Sequence, residues 1–228
     1  MPVSDVFCQI FDNLSKTCTP YKGNGPWCIH ESDKSAKLTD LDVQGFNLSF
    51  VGFDQGITKC MPSITSNRST IFKDLECDGV AFVIRGSKEK LLFVELKSKY
   101  DALPIINAIK QMCFSFLKMH AMLALCSGYT LQNLDVCFCV ATGCAVNKAE
   151  EDKLKFYLSK ALQSPNAREF ALRLQELFRY RMIEIAFADL LKKEDILPTL
   201  HDDIKKKMVK VHLVTAPTPH DTKAMLIL

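Results

Sequence analysis

Two neighbouring apolar runs, Asp78 to Arg85 and Leu91 to Ser98, carry charge where strand interiors ordinarily exclude it. Val80 to Ile84 is β-branched and aromatic, and Leu91 to Val94 is similarly apolar, so both read as strands. The polar stretch Gly86-Ser-Lys-Glu-Lys90 between them reads as a hairpin loop. With Ser87 and Lys88 at the turn centre, facing residues have numbers that sum to 175. Asp78 then faces Lys97, and Val80 faces Glu95. Facing residues share a sheet side, as do residues two apart on one strand. Asp78, Glu95 and Lys97 therefore project from one side. A pairing shifted by one residue would send Asp78 to the other. Two carboxylates and an ammonium gathered in this way suggest a metal site beside a group that can position a water.

The run after this hairpin extends the pattern. Leu103 to Leu125 is long, apolar and rich in helix formers, and it carries Gln111. Strand with acid, turn, strand with Glu95-Leu96-Lys97, then helix with Gln111 resembles the PD-(D/E)XK nuclease superfamily, over roughly residues 46–140. Cys77 stands where the superfamily's name has proline, and Ser115 stands where an aromatic commonly follows the glutamine. The resemblance implies an α/β fold with a central mixed sheet flanked by helices, like the restriction endonucleases. Its core would span about residues 44–142, with a helical C-terminal extension at about 148–195, all in one domain. It also implies phosphodiester hydrolysis of nucleic acid, DNA before RNA, with Mg²⁺ as cofactor and Mn²⁺ as a substitute. Asp78, Glu95 and the Leu96 carbonyl would hold the metal, and Lys97 would complete the catalytic set. Gln111, Glu76 and Glu31 are supporting candidates, and Arg68, Lys99 and Lys110 are candidate nucleic-acid contacts. Members often supply a further acid from an early helix, for which Asp5, Asp12, Asp33 and Asp54 are also available. By analogy, such a nuclease serves as effector of a prokaryotic defence system, beside an ATPase or a second subunit.

Two other readings compete. A surface ladder of ion pairs, Asp78 with Lys97 across the strands, explains the same residues without chemistry. A catalytically inactive module on the same fold would bind nucleic acid or protein and dispense with the metal.

Composition narrows the field. The chain has 228 residues and a net charge of +3, too mild to identify a nucleic-acid partner alone. The local clusters Lys205 to Lys207 with Lys210, and Arg173, Arg179 and Arg181, could face phosphate or simply solvate helices. Ten cysteines occur without a Cys-x-x-Cys pair, and no secretory signal opens the chain. The expectation is free thiols and a cytoplasmic setting. Cys28 and His30 form the one close Cys/His pair, and two ligands do not make a zinc site. Polar residues interrupt the longest apolar stretch, so no membrane span is predicted.

The remaining elements follow from periodicity. Val3 to Leu14 reads as an amphipathic helix with Ser4 as cap, residues 17–36 as a loop, and Gln44 to Phe53 as a strand. The polar stretch 56–70, which contains Arg68, is a place to hold a phosphate backbone. Leu134 to Thr142 reads as a strand, Ala149 to Gln163 as a helix, Asn166 to Lys193 as one long helix, and Val209 to Val214 as a strand. The apolar tail Met225 to Leu228 is free to dock on the body or on another subunit.

Overall fold

The computed structural model describes residues 2–11, 21–31, 35–46, 49–53, 75–85, 88–145, 148–163, 168–191 and 197–228. A seven-stranded mixed sheet runs through it, with helices packed on one side and a three-stranded sheet on the other.

The large sheet contains β1 (Tyr21–Gly23), β4 (Phe50–Phe53), β5 (Gly79–Arg85), β6 (Lys88–Lys97), β7 (Asp135–Thr142), β8 (Met182–Ala186) and β9 (Met208–Thr215), in the order β1-β4-β5-β6-β7-β9-β8. β1, β4, β5 and β6 pair antiparallel, whereas β6, β7 and β9 run parallel. Parallel neighbours need a crossover. Between β6 and β7 it is supplied by the long helix α2 (Ala102–Leu123), followed by a short 3-10 turn. The Asp101 carboxylate accepts the Ala102 N–H at 2.6 Å and caps α2 at its start.

One side of the sheet is set by Val80 and Phe82, Leu91 and Phe93, and Val136, Phe138 and Val140, which meet α2 through Ile109, Met112, Phe116 and their neighbours. Phe93 makes edge contacts with both Phe116 and Phe138. Helices α1 (Val3–Phe11), α3 (Lys148–Gln163) and α4 (Arg168–Tyr180) contribute to this same core.

The opposite side belongs to β2 (Trp27–His30), β3 (Asp40–Gln44) and β10 (Lys223–Ile227), in the order β10-β3-β2. Trp27, Ile29, Leu41, Val43, Ala224 and Leu226 turn inward against Ala81, Val83, Leu92, Val94 and Leu96. Trp27 approaches the large sheet so closely that a Cβ on Gly79 would lie 2.9 Å from its ring, and one on Gly52 would lie 3.0 Å away. Glycine at these two positions is what lets the sheets meet there.

Several expected elements differ. Residues 166–193 do not form one helix. α4 ends at Tyr180, Arg181 takes a positive φ of 64°, and Met182 to Ala186 becomes the edge strand β8 beside β9. Met-Ile-Glu-Ile-Ala alternates with period two and is β-branched, and pairing with β9 outweighs the helical periodicity around it. A short helix, α5 (Phe187–Leu190), follows, and α6 (Asp202–Lys205) precedes β9. The expected loop 17–36 contains β1 and β2, and the expected strand 44–53 is divided between β3 and β4. Ser4 does not cap α1. The Glu89 carboxylate accepts the Val3 and Ser4 N–H groups, and the buried Ser4 hydroxyl also donates to it. The C-terminal tail docks on the body, pairing parallel with β3. Among the described residues, eight cysteines are free, and no helix is long and apolar enough to cross a membrane.

Candidate active site

The β5–β6 hairpin places the charged trio. Its register pairs Arg85 with Lys88 and Gly79 with Val94, so facing residues have numbers that sum to 173. The expected register was two residues away. An offset of two preserves the side on which each residue projects. Continued by one residue, it sets Asp78 opposite Glu95, not Lys97. Val80, Phe93 and the trio thus share the α2 side of the sheet.

The trio is knitted together. The Asp78 N–H donates to Glu95 Oε2 at 3.1 Å, and the Leu96 N–H donates to Asp78 Oδ2 at 2.7 Å. The Lys97 ammonium donates to Glu95 Oε1 and, at 2.9 Å, to Gln111 Oε1. The N–H and C=O of a strand residue point to the same side, so the Leu96 carbonyl also turns toward Asp78.

Glu95 is only 2% exposed. Burial drives its carboxyl up to about 8, and the neighbouring Asp78 carboxylate pushes in the same direction, against the pull of Lys97. An acid this deep is not part of a solvated surface ladder. Burial together with a specific charged partner is a mark of functional sites.

α2 holds the approach to β5 through a polar stripe at positions 111, 115 and 118, spaced along one face of an otherwise apolar helix. Gln111 Nε2 donates to the Glu76 carbonyl at 3.1 Å. The Cys77 N–H donates to the Ser115 hydroxyl at 2.9 Å. The ammonium of buried Lys118 lies 3.7 Å from Glu76 Oε1. Thus Gln111 touches both Lys97 and the chain entering β5. Glu76 is committed to Lys118, which a lysine buried at this depth requires. Sequence reasoning missed Ser115 and Lys118 as site supports. The detectable signal was polar residues at i, i+4 and i+7 in an apolar helix.

The other candidates fall in different places. Glu31 follows β2, where its N–H donates to the Thr39 carbonyl. Asp5 pairs with Lys22 at 2.8 Å. Lys110 is partly buried on α2. Lys99 is exposed just beyond β6, in a cleft with Lys37, Ser98, Tyr100, Asp101, Cys144, Glu150 and Lys153. Asp12, Asp33, Asp54 and Arg68 lie outside the described residues. Of the basic clusters, Arg173 pairs with Glu176 and Lys205 with Asp202, while Lys207 donates to the Leu131 carbonyl.

Asp78 and Glu95 offer hard oxygen donors, as Mg²⁺ and Mn²⁺ prefer. Their crowding is itself the test of fit, because a second positive charge beside the pair would offset both the burial and the Asp78 repulsion that raise Glu95. Compared with protein-family models, curated proteins and solved structures, the chain matches none.

Proposed function

We propose that this chain is a metal-dependent nuclease of the PD-(D/E)XK type, with Asp78, Glu95 and Lys97 as its catalytic set. The observation that carries the reading is the deeply buried Glu95, bonded to Lys97 and to the Asp78 backbone. Burying Glu95 beside the half-buried Asp78 and Lys97 is costly unless the arrangement serves a purpose. The site also lies toward the C-terminal end of β6, beside a parallel neighbour, the end at which open α/β sheets bind ligands.

Asp78, Glu95 and the Leu96 carbonyl would hold Mg²⁺, which supplies a more acidic bound water and neutralises charge on the scissile phosphate. Lys97 contributes a fixed positive charge beside that position. Glu95 and Gln111 hold its ammonium from two directions, so it stabilises charge that develops on phosphoryl oxygens without reorganising. Gln111 acts through Lys97 and is a positioning residue. Nucleic acid is the substrate class, with DNA favoured over RNA, and the cleft lined by Lys99 and Lys37 offers a path for the backbone.

The test is cleavage of mixed DNA and RNA by purified protein in Mg²⁺, Mn²⁺ or EDTA, alongside Asp78→Ala. Metal-dependent cleavage that Asp78→Ala abolishes supports the reading. Equal cleavage by wild type and variant, or cleavage that EDTA leaves unchanged, refutes it.

A further inference from the structure

The three-stranded sheet has a second face, turned away from the core. Trp27 and Ile29 on β2, and Leu41 and Val43 on β3, point inward, so the intervening residues Cys28, His30, Asp40 and Asp42 point outward. The antiparallel register sets Cys28 directly opposite Asp42, and His30 directly opposite Asp40. His30 Nδ1 is in hydrogen-bond contact with Asp40 Oδ1, and the Cys28 thiol bonds to Asp42.

One donor atom each from Cys28, His30 and Asp40 lie within 4.8 Å of one another. A tetrahedral zinc ion, with bonds of about 2.0–2.3 Å, holds its ligand atoms roughly 3.3–3.8 Å apart. Small side-chain rotations close that difference. The frame is fixed, because β3 is paired on both sides, with β2 on one and β10 on the other. A thiol, an imidazole and a carboxylate select zinc-class ions over Mg²⁺. This donor set is therefore chemically distinct from Asp78 and Glu95, and it lies on the other side of the large sheet.

We propose that Cys28, His30 and Asp40 bind one divalent transition-metal ion of the zinc class on the outer face of the three-stranded sheet. The Cys28 thiol releases its proton to solvent on binding. Its sulfur, one imidazole nitrogen and one Asp40 oxygen then form the bonds. A fourth position is left to water, with the Asp42 carboxylate beside it. The Lys223 ammonium lies 3.9 Å from Asp40 Oδ2, and its largely exposed side chain can swing aside. The ion ties β2 to β3 directly behind Ile29, which packs with Trp27 against Gly79 next to Asp78.

Cobalt(II) reads the site out. The 228-residue chain, stripped of metal and carrying Asp78→Ala so that the candidate active site does not contribute, is titrated with Co²⁺ under reducing conditions. One ion per chain is expected, with a sulfur-to-cobalt charge-transfer band that Zn²⁺ bleaches. Cys28→Ser removes the band. His30→Ala, at an exposed position, weakens Co²⁺ binding at least about tenfold while leaving the metal-free melting temperature unchanged. A wild-type site without the band overturns the proposal. So does a band that persists unchanged in both variants, since other cysteines would then be its source.

Discussion

Gln111 accepts a hydrogen bond from Lys97 Nζ at 2.9 Å and, through its other amide atom, donates one to the Glu76 carbonyl at 3.1 Å. One side chain on α2 thus fixes the lysine at the end of β6 and the chain entering β5. Removing it leaves Lys97 tethered, among the described residues, by Glu95 alone. In the proposed nuclease, Gln111→Ala lowers kcat about 10- to 100-fold with little change in KM, because the ammonium loses its orientation and not its charge. Steady-state kinetics against a defined oligonucleotide check this. An unchanged kcat would remove Gln111 from the account.

Glu95 makes the metal-free protein sensitive to pH. In the unfolded chain its carboxyl ionises near the ordinary glutamate value, about 4.3. The folded protein keeps the proton until about pH 8. Between these values the native state binds more protons, so stability falls as pH rises through that window. Glu95→Gln cannot titrate there. Measured by urea unfolding without metal, its stability relative to wild type should therefore rise from about pH 5 to pH 8, by about 1–3 kcal/mol. A flat difference across the window would mean that Glu95 is not held protonated.

The Ser115 hydroxyl receives the buried Cys77 N–H at 2.9 Å. Ser115→Ala strands that donor in the core beside the trio. The expected loss is about 1–3 kcal/mol. Hydrogen exchange at the Cys77 amide should accelerate as well, and unaltered exchange would count against the clamp from α2.

Gly79 has no room for a side chain. A Cβ there lies 2.9 Å from the Trp27 ring and 3.2 Å from Ile29. Gly79→Ala forces the two sheets apart and costs about 1–3 kcal/mol. Trp27 is the single tryptophan of the chain, so its fluorescence reports the displacement directly. An unchanged emission maximum would show that the ring does not rest on this glycine.

The sequence exposed the parts of this fold in which neighbouring residues dictate the outcome. α2 and β7 follow from long periodic runs and lie within a few residues of the expected bounds. The trio shares one side because the hairpin pairing sum is odd at either 175 or 173, so a turn centre one residue from the expected one shifts each facing partner by two and keeps the side. Elements that depend on distant partners were hidden. β8 exists because β9 gives its edge a partner, and β10 is a strand because β3 lies alongside it. Cys28 and His30 were visible as a pair, but Asp40 joins them only through the β2–β3 register. Ser115 and Lys118 looked like interruptions of an apolar helix until residues 76 and 77 were seen against them.

At the proposed Asp78–Glu95–Lys97 site, holding a metal and using it fall to different residues. Mn²⁺ binding by calorimetry, paired with a cleavage assay on wild type, Asp78→Asn and Lys97→Met, draws that distinction directly. The proposed site predicts that Asp78→Asn loses both binding and cleavage. It predicts that Lys97→Met still binds Mn²⁺ yet cleaves at least about a hundredfold more slowly. Cleavage by Lys97→Met at the wild-type rate, or Mn²⁺ binding untouched by Asp78→Asn, would contradict it.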